Sequence, residues 1–437
     1  MKRPPRHTRA RPPTAATVRP GAAPAREESL RFSSLGVRGE AIADGPDGPI
    51  YAPFLLPDEE ALVRVVGDRA HVVQVTDPSP DRVAPLCPHF GVCGGCQLQH
   101  WDAKPMLAWK RELVMAALSK RGLDADVAPA RAAWGEGRRR AGLHAQRQDG
   151  APHFGFIERG GAQIVPVSAC PVLTPTLEAA LPRLAKLARM LAPARGDAVL
   201  QVLETITGLD VDVRGAGRIS ARDRQGLQAL AAAVEAADLA RLSLEGEVVL
   251  ERRSPQLTMG KAVVRPPPGA FVQATAAGEE DLAALVQEAL APAKRVADLF
   301  CGVGTFALRL AATAEVWAVD GETSMLSALK AAADGAGGAL KGVEVMRRDL
   351  LRSPVAALEL KRFDAIVFDP PRGGARLQTE QIAASKASIV AAVACDAGAF
   401  ARDARILVDA GFAMGVVTPI DQFRFSPHVE IVAVFSR

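Results

Sequence analysis

From Leu30 to about Pro80, apolar and polar positions alternate in short runs broken by Gly, Pro and Asp. The stretch "LGVRGEAIADGPDGPIYAPFLLPDEEALVRVVGDRAHVVQV" is representative. Period-two alternation with turn residues every few positions predicts strands of roughly four to seven residues, closing into a small antiparallel β-barrel. The spacing then changes. Apolar residues recur at helical intervals from Lys104 to Lys120, predicting an amphipathic helix. Residues 131 to 265 read as mixed α+β, with a strand at "DAVLQVLETI" and an Ala/Leu-rich helix at "LQALAAAVEAADLARL". From Arg295 the pattern becomes strand, Gly-rich turn, helix, strand, as in "RVADLFCGVGTFALRLAATAEVWAVD". That order predicts an α/β unit with a parallel, doubly wound sheet. The chain divides accordingly into a tail over 1–29, a barrel over 30–80, a central α+β segment over 81–265 and an α/β domain over 266–437.

Charge changes the picture at one end only. The first 30 residues hold seven Lys and Arg against two Glu, with repeated Pro and no apolar signal core. They read as a disordered basic tail; the prolines oppose the amphipathic helix of a mitochondrial transit peptide. The whole chain carries only +4, so the remainder is nearly neutral, and any nucleic-acid surface must be a local basic patch. No run approaches the roughly 18 apolar residues of a membrane span. Six cysteines without a secretion signal predict a reducing, cytoplasmic setting, where clustered thiols bind metal or do chemistry.

Candidate chemistry sits at strand ends. "VADLFCGVGTFALRL" places a G-x-G turn between a strand and a helix, where glycines permit positive φ and close approach to a ligand. The third glycine of a dinucleotide fingerprint is missing, and Asp320 ends the next strand, where an acid holds ribose hydroxyls. S-adenosylmethionine therefore fits better than NAD. "FDAIVFDPPRGG" projects Asp369 from the carboxyl end of another strand on a rigid Pro-Pro turn. Cys87, Cys93 and Cys96 are spaced C-x(5)-C-x(2)-C around Gly94 and Gly95, and Cys170 follows much later; four thiolates close a site for zinc or an iron–sulfur cluster. Cys301 reads as packing. Cys395, in "VACDAGAFARD", reads either as a small core residue or as a nucleophile. Arg138, Arg139 and Arg140 read either as a solvated face or as an RNA contact.

Seven motifs in order resemble one family: "RGEAIA", "CPHFGVCGGCQLQH", "FVQAT", "DLFCGVGTF", "FDPPRGG", "VACDAGAFARD" and "HVEIVAVF". From about Leu30 onward the chain resembles the S-adenosylmethionine-dependent RNA uracil-5-methyltransferases, especially the 23S rRNA branch with an N-terminal TRAM domain and a 4Fe–4S cluster. The resemblance implies a Rossmann-like class I methyltransferase domain and a 4Fe–4S cluster on Cys87, Cys93, Cys96 and Cys170. It implies cofactor or target-base contacts from Gln273, Phe300, Thr305, Asp320, Asp349 and Asp369, with Cys395 as nucleophile and Glu430 as general base. It also implies a monomer acting on RNA, 23S rRNA first and the transfer-RNA T-loop as the alternative. A rival reading is an RNA-binding ribosome-assembly factor that has lost catalysis. The chain departs from the family at "ACD" in place of "SCN", at "FVQAT" in place of F-x-Q-x-N, and at Asp320 in place of Glu.

Overall fold

The computed structural model describes residues 26–193, 195–216 and 224–437. It separates into two compact units, residues 1–80 and 81–437. The expected tail over 1–29 lies outside the described residues up to position 25, and its last four residues belong to a strand.

The first unit contains β1 (Arg26–Phe32), β2 (Ser34–Leu35), β3 (Ala41–Gly45), β4 (Gly48–Ala52), β5 (Glu59–Val66) and β6 (Arg69–Asp77). They form one sheet in the order β1-β5-β6-β4-β3-β2. Alternate residues of β5 (Ala61, Val63, Val65) point inward onto Phe32, Ala41, Ile50 and Leu55, which is what a period of two requires. Along β1 the polar residues find partners on β5, Glu27 with Arg64 at 2.6 Å, while Phe32 is fully buried.

The second unit opens with α1 (Ala103–Ser119), capped by the Asp102 carboxylate, and with the two-residue strand β7 (Arg131–Ala132). A mixed sheet follows, built from β8 (Arg140–Gln148), β9 (Ala151–Ile157), β10 (Ile164–Pro166), β11 (Ala198–Thr205), β12 (Gly208–Arg214), β13 (Leu239–Leu244) and β14 (Glu247–Glu251). Their order is β10-β9-β8-β11-β12-β13-β14, and α2 (Pro175–Leu191) and α3 (Arg224–Ala236) pack on it. The helix expected through Leu242 stops at Ala236. Asp238 takes a positive φ of 53°, and the next six residues are wholly buried as β13 between two neighbouring strands. Leu239 and Leu242 also fit a helical spacing, which is why periodicity alone runs the helix too far.

The remaining elements are the hairpin β15 (Leu257–Met259) and β16 (Ala262–Val264), then α4 (Ala276–Leu290), β17 (Arg295–Leu299), α5 (Ala307–Leu310), β18 (Glu315–Asp320), α6 (Thr323–Asp334) and β19 (Val343–Arg347). After these come α7 (Ala357–Leu360), β20 (Ala365–Phe368), α8 (Arg376–Ala383), β21 (Ile389–Ala394), α9 (Ala397–Asp409), β22 (Ala413–Asp421) and β23 (Glu430–Ser436). The sheet order is β19-β18-β17-β20-β21-β23-β22-β7. The first five strands are parallel, and β23 is inserted antiparallel between β21 and β22. Near-continuous apolar strands suit a sheet covered on both faces. Leu282, Val286, Leu326 and Leu329 cover one face; Val114, Leu118, Phe400 and Leu407 cover the other. The sequence position 265 falls inside this unit, and β7, from the central segment, pairs with β22 at the sheet edge. Among the described residues no helix is long and apolar enough to cross a membrane.

Candidate functional site

The chain runs from β17 outward to β19 and then returns to the other side of β17 as β20, so the order reverses between β17 and β20. In such sheets ligands bind in the crevice outside the carboxyl ends of the strands at the reversal. Two candidate residues stand there: Phe300 follows β17, and Asp369 follows β20. Phe300, Gly302 and Gly304 have φ of 64°, 54° and 101°, a tight turn that glycine makes possible. A Cβ on Gly304 would stand 2.9 Å from the side chains of Leu308 and Leu329, whereas Gly302 faces open space. The helix expected after this turn is only Ala307–Leu310.

Asp320 ends β18 and pins the turn, accepting from Gly302 N at 3.0 Å through Oδ2 and from Glu322 N at 2.9 Å through Oδ1. Thr305 is half-buried in the same turn. Asp349, after β19, accepts from Leu351 N at 3.1 Å and Arg352 N at 3.2 Å. One acid that sequence reasoning passed over lies beneath them. Asp298, fully buried on β17, is pushed well above the usual carboxylate range by burial first and by Asp369 and Asp320 next, against the Ala307 N–H. A charged residue inside an otherwise apolar strand was the available signal.

Gln273, Asp369, Cys395 and Glu430 meet at the far end of the crevice. Gln273 Nε2 donates to Asp369 Oδ2 at 3.4 Å. Gln422 Nε2 donates to Gln273 Oε1 at 2.7 Å and to Glu430 Oε1 at 3.1 Å. Burial pushes Asp369 up to about 7, against the Gln273 hydrogen bond. Burial, then the nearby Asp369, pushes Glu430 up to about 8, against Gln422 and Arg140. Two buried carboxyls that feel each other do not both ionise readily, because each charge disfavours the other.

Cys395 follows β21 directly, and Asp396 then caps α9 by accepting from Ala399 N at 2.8 Å. The Asp of "ACD" thus has a local task. Burial, then Glu430 and Asp369, push the Cys395 thiol up to about 11, while Arg372 opposes them. Arg372 Nη2 lies 2.7 Å from His428 Nδ1, and burial together with that guanidinium lowers the His428 pKa. At neutral pH this thiol rests uncharged beside two carboxyls that do not both ionise readily. Cys301, by contrast, is 4% exposed within the β17 turn, and burial raises it well above the usual thiol range.

The three consecutive arginines do not form a solvated face. Arg139 pairs with Glu279 and donates to Gln273 O at 3.2 Å. Arg138 lies over the Phe423 ring at 5.8 Å, and Arg140 over Phe271 at 4.2 Å. Burial, then its two arginine neighbours, lower Arg140 to about 10, against the pull of Glu430.

Behind them, Cys87, Cys93, Cys96 and Cys170 line one cavity of about 210 Å³, together with His89, Arg138 and Arg140. Gly95 N donates to Cys93 Sγ at 3.4 Å. Burial raises Cys96 to about 12 and Cys170 to about 11. Among the described residues, however, no three His, Cys, Asp or Glu side chains are drawn together as ligands of one metal ion. Gly94 serves a neighbouring strand: its N–H donates to Ile157 O at 2.9 Å, and a Cβ there would stand 3.0 Å from that oxygen.

No family model matches the chain. It is 45% identical over 418 residues to an uncharacterized RNA methyltransferase of Caulobacter vibrioides, covering 94% of this chain and 100% of that one. It is 44% identical over 408 residues to a Brucella suis protein of the same description, covering 93% and 97%. Its fold is similar to the crystal structure of Pyrococcus abyssi tRNA (uracil-54, C5)-methyltransferase in complex with S-adenosyl-L-homocysteine. That likeness has a TM-score of 0.72 at 22% identity and covers 93% of this chain and 99% of that chain. A class I methyltransferase fold, with relatives this similar over nearly the whole length, makes the chain a member of the RNA methyltransferase family.

Proposed function

We propose that this enzyme transfers a methyl group from S-adenosylmethionine to carbon 5 of a uridine in RNA through a covalent cysteine adduct. The observation that carries the proposal is the meeting of Cys395, Asp369 and Glu430 at the strand ends, with each carboxyl felt by the thiol. Carbon 5 of uracil is too weak a nucleophile to be methylated directly. The Cys395 thiol gives its proton to the Asp369 carboxylate, which leaves Glu430 free to act later, and adds to carbon 6, and the displaced electron pair makes carbon 5 an enolate carbon. Bound S-adenosylmethionine supplies an electrophilic methyl group. Glu430 then removes the carbon 5 proton, the bond between sulfur and carbon 6 breaks, and the ring double bond is restored. The target base must be out of its stack to reach Cys395.

Phe300, Thr305, Asp320 and Asp349 line the crevice side proposed for the cofactor, and Gln273 and Asp369 stand between it and Cys395. Cys87, Cys93, Cys96 and Cys170 are the proposed holders of a 4Fe–4S cluster. Four half-buried thiols line one cavity. Burial holds Cys93, Cys96 and Cys170 in the neutral form unless a cation offsets their charge, and backbone N–H donors such as Gly95 suit anionic sulfur. The six-stranded sheet over 26–77 is proposed as a TRAM domain that contacts RNA, in a cytoplasmic monomer.

Large-subunit ribosomal RNA is the proposed target, on the family resemblance. Transfer RNA is the second reading, favoured by the Pyrococcus abyssi enzyme, whose name gives uracil-54 of tRNA and whose fold spans 93% of this chain. Nucleoside mass spectrometry of the two RNA pools from a deletion strain assigns the target. For the chemistry, Cys395→Ala should abolish methyl transfer and keep cofactor binding. Glu430→Gln should methylate and then stall as an RNA–protein adduct that survives denaturing electrophoresis and disappears in the double variant. Methylation by Cys395→Ala would overturn the nucleophile.

A further inference from the structure

We infer that Gln422 is a positioning residue for this reaction, its amide tying Gln273 to Glu430 and fixing which atoms each presents to the site. The inference rests on the function proposed above. Gln422 is 1% exposed, in the turn between β22 and β23. Its Oε1 accepts from Ala274 N at 2.8 Å and Thr275 N at 3.4 Å. Only an acceptor can face two backbone N–H groups, so Nε2 must face the other way, toward Gln273 Oε1 and Glu430 Oε1. With its oxygen engaged, Gln273 must in turn present Nε2 to Asp369. Flipping Gln422 would set N–H against N–H and carbonyl against carboxyl. The amides therefore run one way, from backbone donors to both carboxyls.

The surroundings allow Gln422 little movement. Its chain neighbours are clamped by a buried lysine: Lys110 Nζ is 2.6 Å from Asp421 Oδ1 and 3.1 Å from Phe423 O. On the other side lies the first turn of α4, where Gly278 leaves room only for hydrogen. A Cβ there would stand 2.8 Å from the Gln422 Cβ. The charged or titratable groups facing Glu430 are Asp369 beyond β20, Cys395 beyond β21 and Arg140 on β8. Gln422 supplies the direct hydrogen bond to the carboxylate, and such a bond favours the charged form that can take a proton.

The test uses the full-length enzyme, radioactive S-adenosylmethionine and unmodified RNA from a deletion strain. It follows methyl incorporation and the fraction of RNA held in denaturant-stable adduct between pH 6 and 10. Gln422→Met keeps the length and removes the amide. Methyl incorporation should persist while release of methylated RNA slows about ten-fold at pH 7.5, and the rising limb of release should move up by about one pH unit, the size expected for one lost hydrogen bond to a charge. RNA affinity should stay unchanged. Gly278→Ala keeps the amide but crowds it, and should move the same limb in the same direction by less. Release with wild-type pH dependence, or a loss seen only as weaker RNA binding, would overturn the role. If Gln422→Met does not fold, the Gly278→Ala profile decides by the same criterion. A wild-type enzyme that makes no 5-methyluridine would instead sink the proposed function, which this comparison keeps separate.

Discussion

The Lys110–Asp421 pair joins α1 to the end of β22 with both side chains at 0% exposure, and it invites a double-mutant cycle. At 2.6 Å and an effective dielectric of 20, the mutual attraction is about 6 kcal/mol. Desolvation of two ions offsets much of this. The partners differ in what each would keep. Asp421 would retain Trp134 Nε1 at 3.0 Å and Phe423 N at 2.9 Å, while Lys110 would retain only the Phe423 carbonyl. Lys110→Met therefore leaves a buried carboxylate with two donors, and should cost about 3 kcal/mol. In Lys110→Met with Asp421→Asn no charge remains and the amide oxygen still accepts from Phe423 N, while Trp134 Nε1 loses its acceptor, so the pair of changes should cost about 2 kcal/mol. The cycle should thus show a coupling of at least about 2 kcal/mol between the sites. Urea unfolding followed by tryptophan fluorescence is the assay, because all four tryptophans lie between 101 and 317, in the second unit. A single variant costing under about 1 kcal/mol, or a double variant as costly as Lys110→Met alone, would refute this account of the pair.

Three further outcomes are expected. The turnover rate should rise with pH through the window from about 7 to about 8, because Asp369 and Glu430 are raised to those values and a base must be unprotonated to act; a rate flat from pH 6 to 9 would exclude both. Protein purified without oxygen should be brown with bound iron and sulfide, and Cys93→Ser should bleach it and lower the thermal stability of the second unit, whereas a colourless protein containing zinc would displace the iron–sulfur assignment. Replacing Arg138, Arg139 and Arg140 by Ala should lower stability by about 2 kcal/mol or more, since Arg139 leaves the buried Glu279 with one fewer partner. The salt dependence of RNA binding should stay as it was, and a flattened slope would return these arginines to the RNA interface.

What the sequence reveals of this protein is local. Strand, glycine turn and strand over Arg295–Asp320 are written in consecutive residues, so the parallel half of the sheet can be read directly. The four cysteines can be grouped by type. Contacts between distant segments leave no such trace. Nothing in "EIVAVFS" says that β23 enters the sheet antiparallel between β21 and β22, and nothing in Arg131–Ala132 announces an edge strand. The amide chain is equally silent: "FVQAT" marks Gln273, but Gln422 lies 149 positions away and carries no motif of its own. Three adjacent arginines suggest solvent or RNA until Glu279, Phe423 and Phe271 supply their partners. The Ala-rich helix overran into β13 because leucines three apart satisfy either geometry.

The placement of β23 also governs the order of events during synthesis. The strand fills the gap between β21 and β22, yet it follows both in the chain, and Glu430 is its first residue. A nascent chain can assemble β17 to β21 with their helices while still attached to the ribosome. Until residues 430 to 436 clear the exit tunnel, β21 presents an open, apolar edge and the crevice holds a cysteine without its proposed base. On the proposed mechanism, a chain at that stage would have every other catalytic candidate in place and no base with which to finish the reaction. Chaperone demand and the risk of edge-to-edge association should be concentrated in that interval.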